Sequence, residues 1–373
     1  MSIPWNKTRA RVDLAAIRAN YRLLSSRASR VIPVVKADAY GHGLFPVARA
    51  LAEEGADVFA VGTVEEGVAL AGLKCAARIL ALLGPIDPGD YDAAVRFGIA
   101  VFVGNIAQLE RLAEAAQRQG RTIEVCLKFD TGMSRLGFSE EDAPALAERL
   151  RARAALRPVW ACSHLATADD AADASFALAQ GERFGRILGR LRAAGCDAAG
   201  CLANSAAILA HKPLHFDAQR AGIALYGANP FHGSALAHLG EGLAPAMEVS
   251  APVVEVRDLA PGQSVSYGRT FTAKRPLRAA IVAAGYADAY SRGLSNRGFM
   301  LVRGRRARVL GRVCMQLTAV DVSDVPDCAP GDRAYLLGGA GPDSIRPEDL
   351  AGWWGTIPYE VFCLLGLNER SYS

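Results

Sequence analysis

The sequence predicts an α/β protein: an N-terminal (β/α)8 barrel of the TIM type, followed by a mainly β C-terminal domain. Three features predict it. Short apolar runs alternate with amphipathic stretches from about residue 10 to 230, and the runs number eight. The early runs lack polar alternation. Near residue 240 the texture changes to strand and turn.

The runs are VIPVV (31–35), VFAVG (58–62), ILALLG (79–84), AVFVG (100–104), IEVCLKF (123–129), PVWACSHL (158–165), DAAGCLAN (197–204) and FDAQRAGIAL (216–225). Val, Ile and Phe without alternation mark strands buried on both faces, the habit of parallel sheets. Between them, GNIAQLERLAEAAQRQG (104–120) and SEEDAPALAERLRAR (139–153) carry helical 3–4 spacing. The second is read as capped by Ser139 and closed before Pro158. A doubly wound sheet is the alternative. The barrel is preferred because the runs reach eight and no G-x-G-x-x-G follows the first.

Further on, MEVSAPVVEVRDL (247–259), LRAAIVAAGYA (277–287), FMLVRGRRARVLGRV (299–313), LTAVDVSDV (317–325) and RAYLLGG (333–339) read as strands. PGQS, RGR and PGD supply the turns between them. IRPEDLAGWWGTIPYEVFCLLG adds a short helix or two. The expected division is a barrel over 10–240 and a β-rich domain over 241–373, with residues 1–9 packing against the latter.

Composition narrows the function classes. A net charge of +4, with acids spread among the arginines, gives nucleic acid no basic footprint. No run of about 18 apolar residues predicts a membrane span. MSIPWNKTRA does not read as a secretory signal. The chain has eight cysteines with no C-x-x-C pair, which reads as reduced thiols in a cytoplasm, with neither a disulfide frame nor a metal site.

Barrel chemistry sits at the carboxyl ends of the strands. After VIPVV comes KADAYGHG, which puts Lys36 at a strand mouth. Burial there lowers a lysine pKa, as a covalent amine catalyst requires. By position alone, a snorkelling lysine or one paired with Asp38 explains it more simply.

VVKADAYGHG, however, resembles the cofactor-lysine signature of alanine racemases. RVDLAAIRANYRLL resembles their opening helix. KFDTGMSRLGF, SHLATAD, LANSAAIL, RAGIALYG, SVSYGRTF, GYADAY, GRVCMQLTAVDV and TIPYEV resemble later motifs, in the same order. The resemblance implies a pyridoxal 5′-phosphate barrel enzyme with a β domain, working as a homodimer with shared sites. The implied reaction is interconversion of L- and D-alanine by two bases, in an isomerase supplying D-alanine.

Roles follow from the resemblance residue by residue. Lys36 holds the cofactor and serves as one base; Tyr267, from the partner subunit, serves as the other. Ser205, Gly222 and Ile223, with Tyr40 and Tyr359, hold the phosphate near Asn204. Helix starts bind anions, although Asn204 and Ser205 also read as plain caps. Arg220 faces the pyridine nitrogen; a surface pairing with Asp217 is its plainer reading. His164 links Tyr267 to Arg220, or is an ordinary core histidine. Arg135 and the partner's Met315 contact the substrate carboxylate. Tyr286 and Tyr359 crowd the mouth. Lys128 matches a position that some members carry as a carbamate; an ordinary salt bridge is the alternative.

Two positions depart from the family pattern. Ala221 stands where a proline is common, and Gln316 where an acid is usual, which leaves fine substrate preference open. The rival readings are a racemase of broader specificity, such as for serine, a cofactor-binding homeostasis protein without catalysis, and a decarboxylase of similar plan.

Overall fold

The computed structural model describes residues 6–73 and 78–373. Eight parallel strands form the N-terminal half: β2 (Val31–Pro33), β3 (Val58–Val61), β4 (Arg78–Ala81), β5 (Ala100–Val103), β6 (Ile123–Lys128), β7 (Leu156–Cys162), β8 (Ala199–Cys201) and β9 (Gln219–Ala221). β3 to β8 pair in sequence order, and β2 pairs with β9. Single bridges, Val34 to Ala60 and Cys201 to Ala218, join these two sets into a closed barrel. Every residue of β3 and β5 is buried, which accounts for their unalternating apolar runs.

The helices between strands start where local chemistry starts them. The Asn105 carboxamide oxygen accepts from the Gln108 amide at 2.9 Å and opens the helix Ile106–Arg118. Thr63 and Glu66 form a capping box on Val64–Ala71. The Ser139 cap is corrected: that helix runs Ala143–Arg151, and Ser139 instead donates to the Asp142 carboxylate. A start at Ser139 would put Pro144 inside the helix, where its missing N–H breaks a turn; at the observed start it sits in the first turn.

The β region is one large sheet, in the order β15 (Arg305–Arg308), β14 (Phe299–Val302), β17 (Arg333–Leu337), β10 (Met247–Leu259), β1 (Arg9–Val12) and β18 (Glu369–Tyr372). β13 (Leu277–Val282) extends it from β10 and carries β16 (Thr318–Asp321). The run read as 299–313 is a hairpin, because Arg303 and Gly304 both take positive φ and turn the chain. Helices Pro347–Trp354 and Pro358–Leu365 close the chain before β18. β1 and β18 bring both ends of the described chain into this sheet. Residues 1–5 of the segment expected to pack here lie outside the described residues.

One apolar core runs from the barrel into the sheet. A small second cluster of Leu259, Ala273, Leu277, Ala279, Leu310 and Ala319 lies apart. On it rests the two-stranded ribbon of β11 (Ser264–Val265) and β12 (Phe271–Thr272). No helix among the described residues is long and apolar enough to cross a membrane.

Candidate active site

The carboxyl ends of the barrel strands surround a cavity of about 270 Å³. It gathers Lys36, Tyr40, Arg135, His164, Asn204, Ser205, Arg220, Gly222 and Tyr359, with Lys128 and Ser163 beside them. Val34, Leu82, Leu83, Phe102 and Leu136 form an apolar side that sequence reasoning missed. Apolar residues at strand ends look like core, so nothing marked them in advance.

Lys36 leaves the end of the first barrel strand. The four residues after it all take positive φ: Ala37 at 52°, Asp38 at 54°, Ala39 at 54° and Tyr40 at 53°. This is a left-handed helical turn built without glycine. It costs about 1–2 kcal/mol per residue, so roughly 4–8 kcal/mol for the turn, which its surroundings must offset. Asp38 contributes by accepting from the Leu44 amide at 2.6 Å and pairing with Arg370 on β18. The Glu66 carboxylate accepts from the amides of Ala37 at 2.7 Å and Gly62 at 2.6 Å. Gly41 packs so closely on the helix Pro358–Leu365 that a Cβ there would meet the Phe362 carbonyl at 2.4 Å.

Asp38 is therefore engaged by Arg370, so the simple Lys36–Asp38 pair is not what forms. The Lys36 side chain reaches solvent through the open cavity, yet the crowding of protein around it lowers its pKa by desolvation, with Arg135 adding to the shift. Access to solvent keeps that depression smaller than full burial would give.

Arg220 is 5 % exposed, so the surface reading fails, and Asp217 accepts instead from the Gly200 amide. Arg220 Nη1 donates to the Cys201 carbonyl at 2.8 Å and Sγ at 3.0 Å. Nη2 donates to the Ser163 carbonyl at 2.5 Å and lies 3.5 Å from His164 Nδ1. Nε has no partner among the described residues. Burial, then the charge of Arg220, pulls His164 down to about 3, so the ring is neutral. With Nδ1 facing a donor, its hydrogen belongs on Nε2. Burial pulls Lys128 down to about 8, with Arg220 second. Its Nζ donates to the Phe129 carbonyl at 2.8 Å, and no carboxylate pairs with it among the described residues, so the salt-bridge alternative falls.

The Asn204 carboxamide oxygen accepts from the Ala207 amide at 3.1 Å and caps Ser205–Ala210. Ser205 Oγ accepts from the amides of Gly222 at 2.9 Å and Ala224 at 3.2 Å, tying the last two barrel loops together. Ser205 and Ile223 each open a helical turn, so their own N–H groups have no intrahelical partner. A Cβ at Gly222 would stand 2.8 Å from the Tyr40 hydroxyl. The Tyr40 and Tyr359 rings lie 5.7 Å apart, and burial pushes Tyr359 up to about 12. On the rim, the Asp130 carboxylate accepts from the amides of Gly132, Met133 and Ser134 and so shapes the loop that presents Arg135.

Tyr267, Met315 and Tyr286 do not line this cavity. They gather on the β sheet's rim at 71 %, 57 % and 44 % exposure. Tyr267 follows β11 in a turn with Ser266 and Gly268 at positive φ. The Tyr286 amide donates to the Cys314 carbonyl at 3.0 Å, and the Ala287 amide to the Met315 carbonyl at 2.9 Å. Tyr286 and Met315 therefore sit on stitched neighbouring loops.

Two family models match the chain. Alanine racemase, N-terminal domain, covers residues 12–230, and alanine racemase, C-terminal domain, covers 246–372. The chain belongs to the alanine racemase family. An alanine racemase of Nitratidesulfovibrio vulgaris is 57 % identical over 372 residues, covering 100 % of both chains. One from Lawsonia intracellularis is 42 % identical, covering 95 % of this chain and 94 % of its own. Among solved structures, the alanine racemase of a D-cycloserine-producing Streptomyces lavendulae superposes with a TM-score of 0.92 at 35 % identity, covering 99 % and 97 % of the two chains. That of Bartonella henselae, which carries covalently bound pyridoxal phosphate, superposes at 0.87 with 29 % identity over 98 % and 99 %. Alanine racemases thus share this two-part plan along the whole chain.

Proposed function

We propose that this chain interconverts L- and D-alanine with pyridoxal 5′-phosphate bound at the barrel mouth. The observation that carries the reading is the meeting of Lys36, Arg220, Ser205 and Gly222 around one cavity, in a chain matched end to end by alanine racemases.

The residues present fit the cofactor. Lys36 supplies an amine whose pKa is lowered by burial and by Arg135, which makes its neutral form more accessible than in a free lysine. The amides of Ser205 and Ile223 and the Tyr40 and Tyr359 hydroxyls are donors suited to a phosphate. Arg220 offers its one free donor, Nε, to the ring nitrogen and cannot take a proton back. Bound there, the cofactor supplies an aldehyde that bonds the substrate amine and a ring that acidifies its Cα proton.

The protein's own part is proton handling and orientation. Lys36 moves the proton on one face of Cα, serving D-alanine. Tyr267 does so on the other, serving L-alanine. Two bases on opposite faces are what inversion requires. Arg135 holds the substrate carboxylate, together with the Met315 amide. His164, neutral and donating from Nε2, stabilises phenolate at Tyr267. Tyr286 and Tyr359 keep the mouth small, which favours a methyl side chain over larger ones.

Tyr267 and Met315 stand outside their own chain's cavity, which supports a homodimer in which each β domain completes its neighbour's barrel. The barrel unit is taken as 10–240 and the β unit as 241–373. The pairing of β1 with β10 and β18 supports grouping the N-terminal segment with the latter. A cytoplasmic setting rests on the cysteines, which are free thiols throughout the set described.

Chiral chromatography of either alanine enantiomer, incubated with protein and cofactor, tests the reading: racemic product is expected. Unchanged alanine, or faster turnover of serine in a substrate panel, overturns it. Borohydride reduction and peptide mapping should place the cofactor on Lys36.

A further inference from the structure

His42 follows the left-handed turn and has no part in the chemistry above. It is wholly buried. Its ring lies between Tyr226, at 4.5 Å between centroids, and Phe362, at 4.9 Å. Its Nδ1 lies 3.1 Å from the Ala39 carbonyl and 3.0 Å from the Tyr40 carbonyl. Both neighbours are acceptors, so Nδ1 carries the hydrogen and donates. Nε2 has no partner at all among the described residues. A buried imidazole spends one nitrogen unsatisfied in order to place the other at the end of this turn.

The turn's other ties act on different atoms. Asp38 and Arg370 hold its flank, and Glu66 holds its first amide. Arg370 reaches the Gly41 carbonyl at 2.9 Å. The Tyr40 carbonyl has only His42 as a partner among the described residues. Tyr40 is also the residue whose hydroxyl stands beside Gly222. Lys36 and Tyr40 bracket the turn, so its handedness sets where both side chains point.

We infer that His42 is a positioning residue: its Nδ1–H fixes the closing carbonyls of the left-handed turn and thereby aims Lys36 and Tyr40 at the cofactor. This rests on the reading of Lys36 as the cofactor lysine. Burial keeps the ring's pKa near 4, so it remains a neutral donor across the working range. Phe362 belongs to the helix after the β sheet, so that helix helps hold the barrel's lysine.

Two substitutions separate donor from bulk. His42→Phe keeps an aromatic filler and loses the donor; His42→Asn keeps a donor near the Nδ1 position. Amide exchange is read at Ala39, Gly41 and Gly43, whose N–H groups bond within this turn. Affinity for added pyridoxal 5′-phosphate is read from absorbance. In His42→Phe those three amides should exchange about tenfold faster, and the cofactor dissociation constant should rise about tenfold, the weight of one buried hydrogen bond. Amides in β5 and β6 should not change, and His42→Asn should recover most of both losses. The inference is overturned if His42→Phe matches the wild type, or if His42→Asn loses as much as His42→Phe. If borohydride labels a residue other than Lys36 in the wild type, the cofactor reading fails, while amide exchange still decides what His42 does.

Discussion

The barrel mouth and the rim of the β sheet hold the two proposed bases in opposite ways. Lys36 sits in a cavity, on a turn tied from four directions, with its pKa lowered by its surroundings. Tyr267 stands on a two-stranded ribbon over a small detached cluster, 71 % exposed and not among the residues that line its own chain's cavity. One base is fully prepared within a single chain. The other has a scaffold but no environment. That difference is the ground for proposing a catalytic unit larger than the chain.

That contrast can be broken or sharpened by substitution. Lys36→Ala should have the largest effect: racemisation falls at least about ten-thousandfold, because the covalent anchor and one base are lost together. Retained activity would remove the barrel mouth from the account. Tyr267→Ala should lower racemisation by about 10²–10⁴-fold, as loss of one base does. Its melting temperature and bound-cofactor absorbance should stay near wild type, since exposed substitutions shift stability by only about 0.5 kcal/mol. A large loss of stability would mean the ribbon is structural.

Arg220→Met should destabilise the barrel by about 3 kcal/mol in urea unfolding, because it strips donors from the buried Cys201 and Ser163 carbonyls. No matching loss is expected from Arg269→Met on the rim. The smallest effect concerns pH. His42 sits near 4 when folded and about 6.5 when unfolded, so the unfolded chain binds more protons between those values. Stability should therefore fall as pH drops from 6.5 towards 4, by at most ~3 kcal/mol from this residue. His42→Asn should remove this residue's share of the slope in the cofactor-free protein, while His164, held down to about 3, keeps its own. Tyr267→Ala should leave it alone.

Much of this was legible in the chain. All eight barrel strands lie within or beside the apolar runs, because strands buried on both faces leave an unmistakable composition. β1 and β18 were not, since RARV and ERSY carry charge and become strands only by pairing with partners hundreds of residues away. The left-handed turn was also hidden. KADAY contains good helix formers, and tertiary contacts alone force its handedness. Lys36 could be singled out from its place at a strand end, but its role, like those of Tyr267 and Met315, was reached only through family resemblance. Glu66 and His42 were missed. The sequence offered only the placing of His42 between Gly41 and Gly43; the positive φ of both glycines and the burial of the ring show in the folded chain alone.

Mixing inactive Lys36→Ala and Tyr267→Ala subunits tests the shared catalytic unit most directly. Each mixed dimer keeps one site with both bases, so random exchange of equal amounts should restore about a quarter of wild-type activity. No activity, with mixed dimers verified by native mass spectrometry, would contradict a base supplied across the interface.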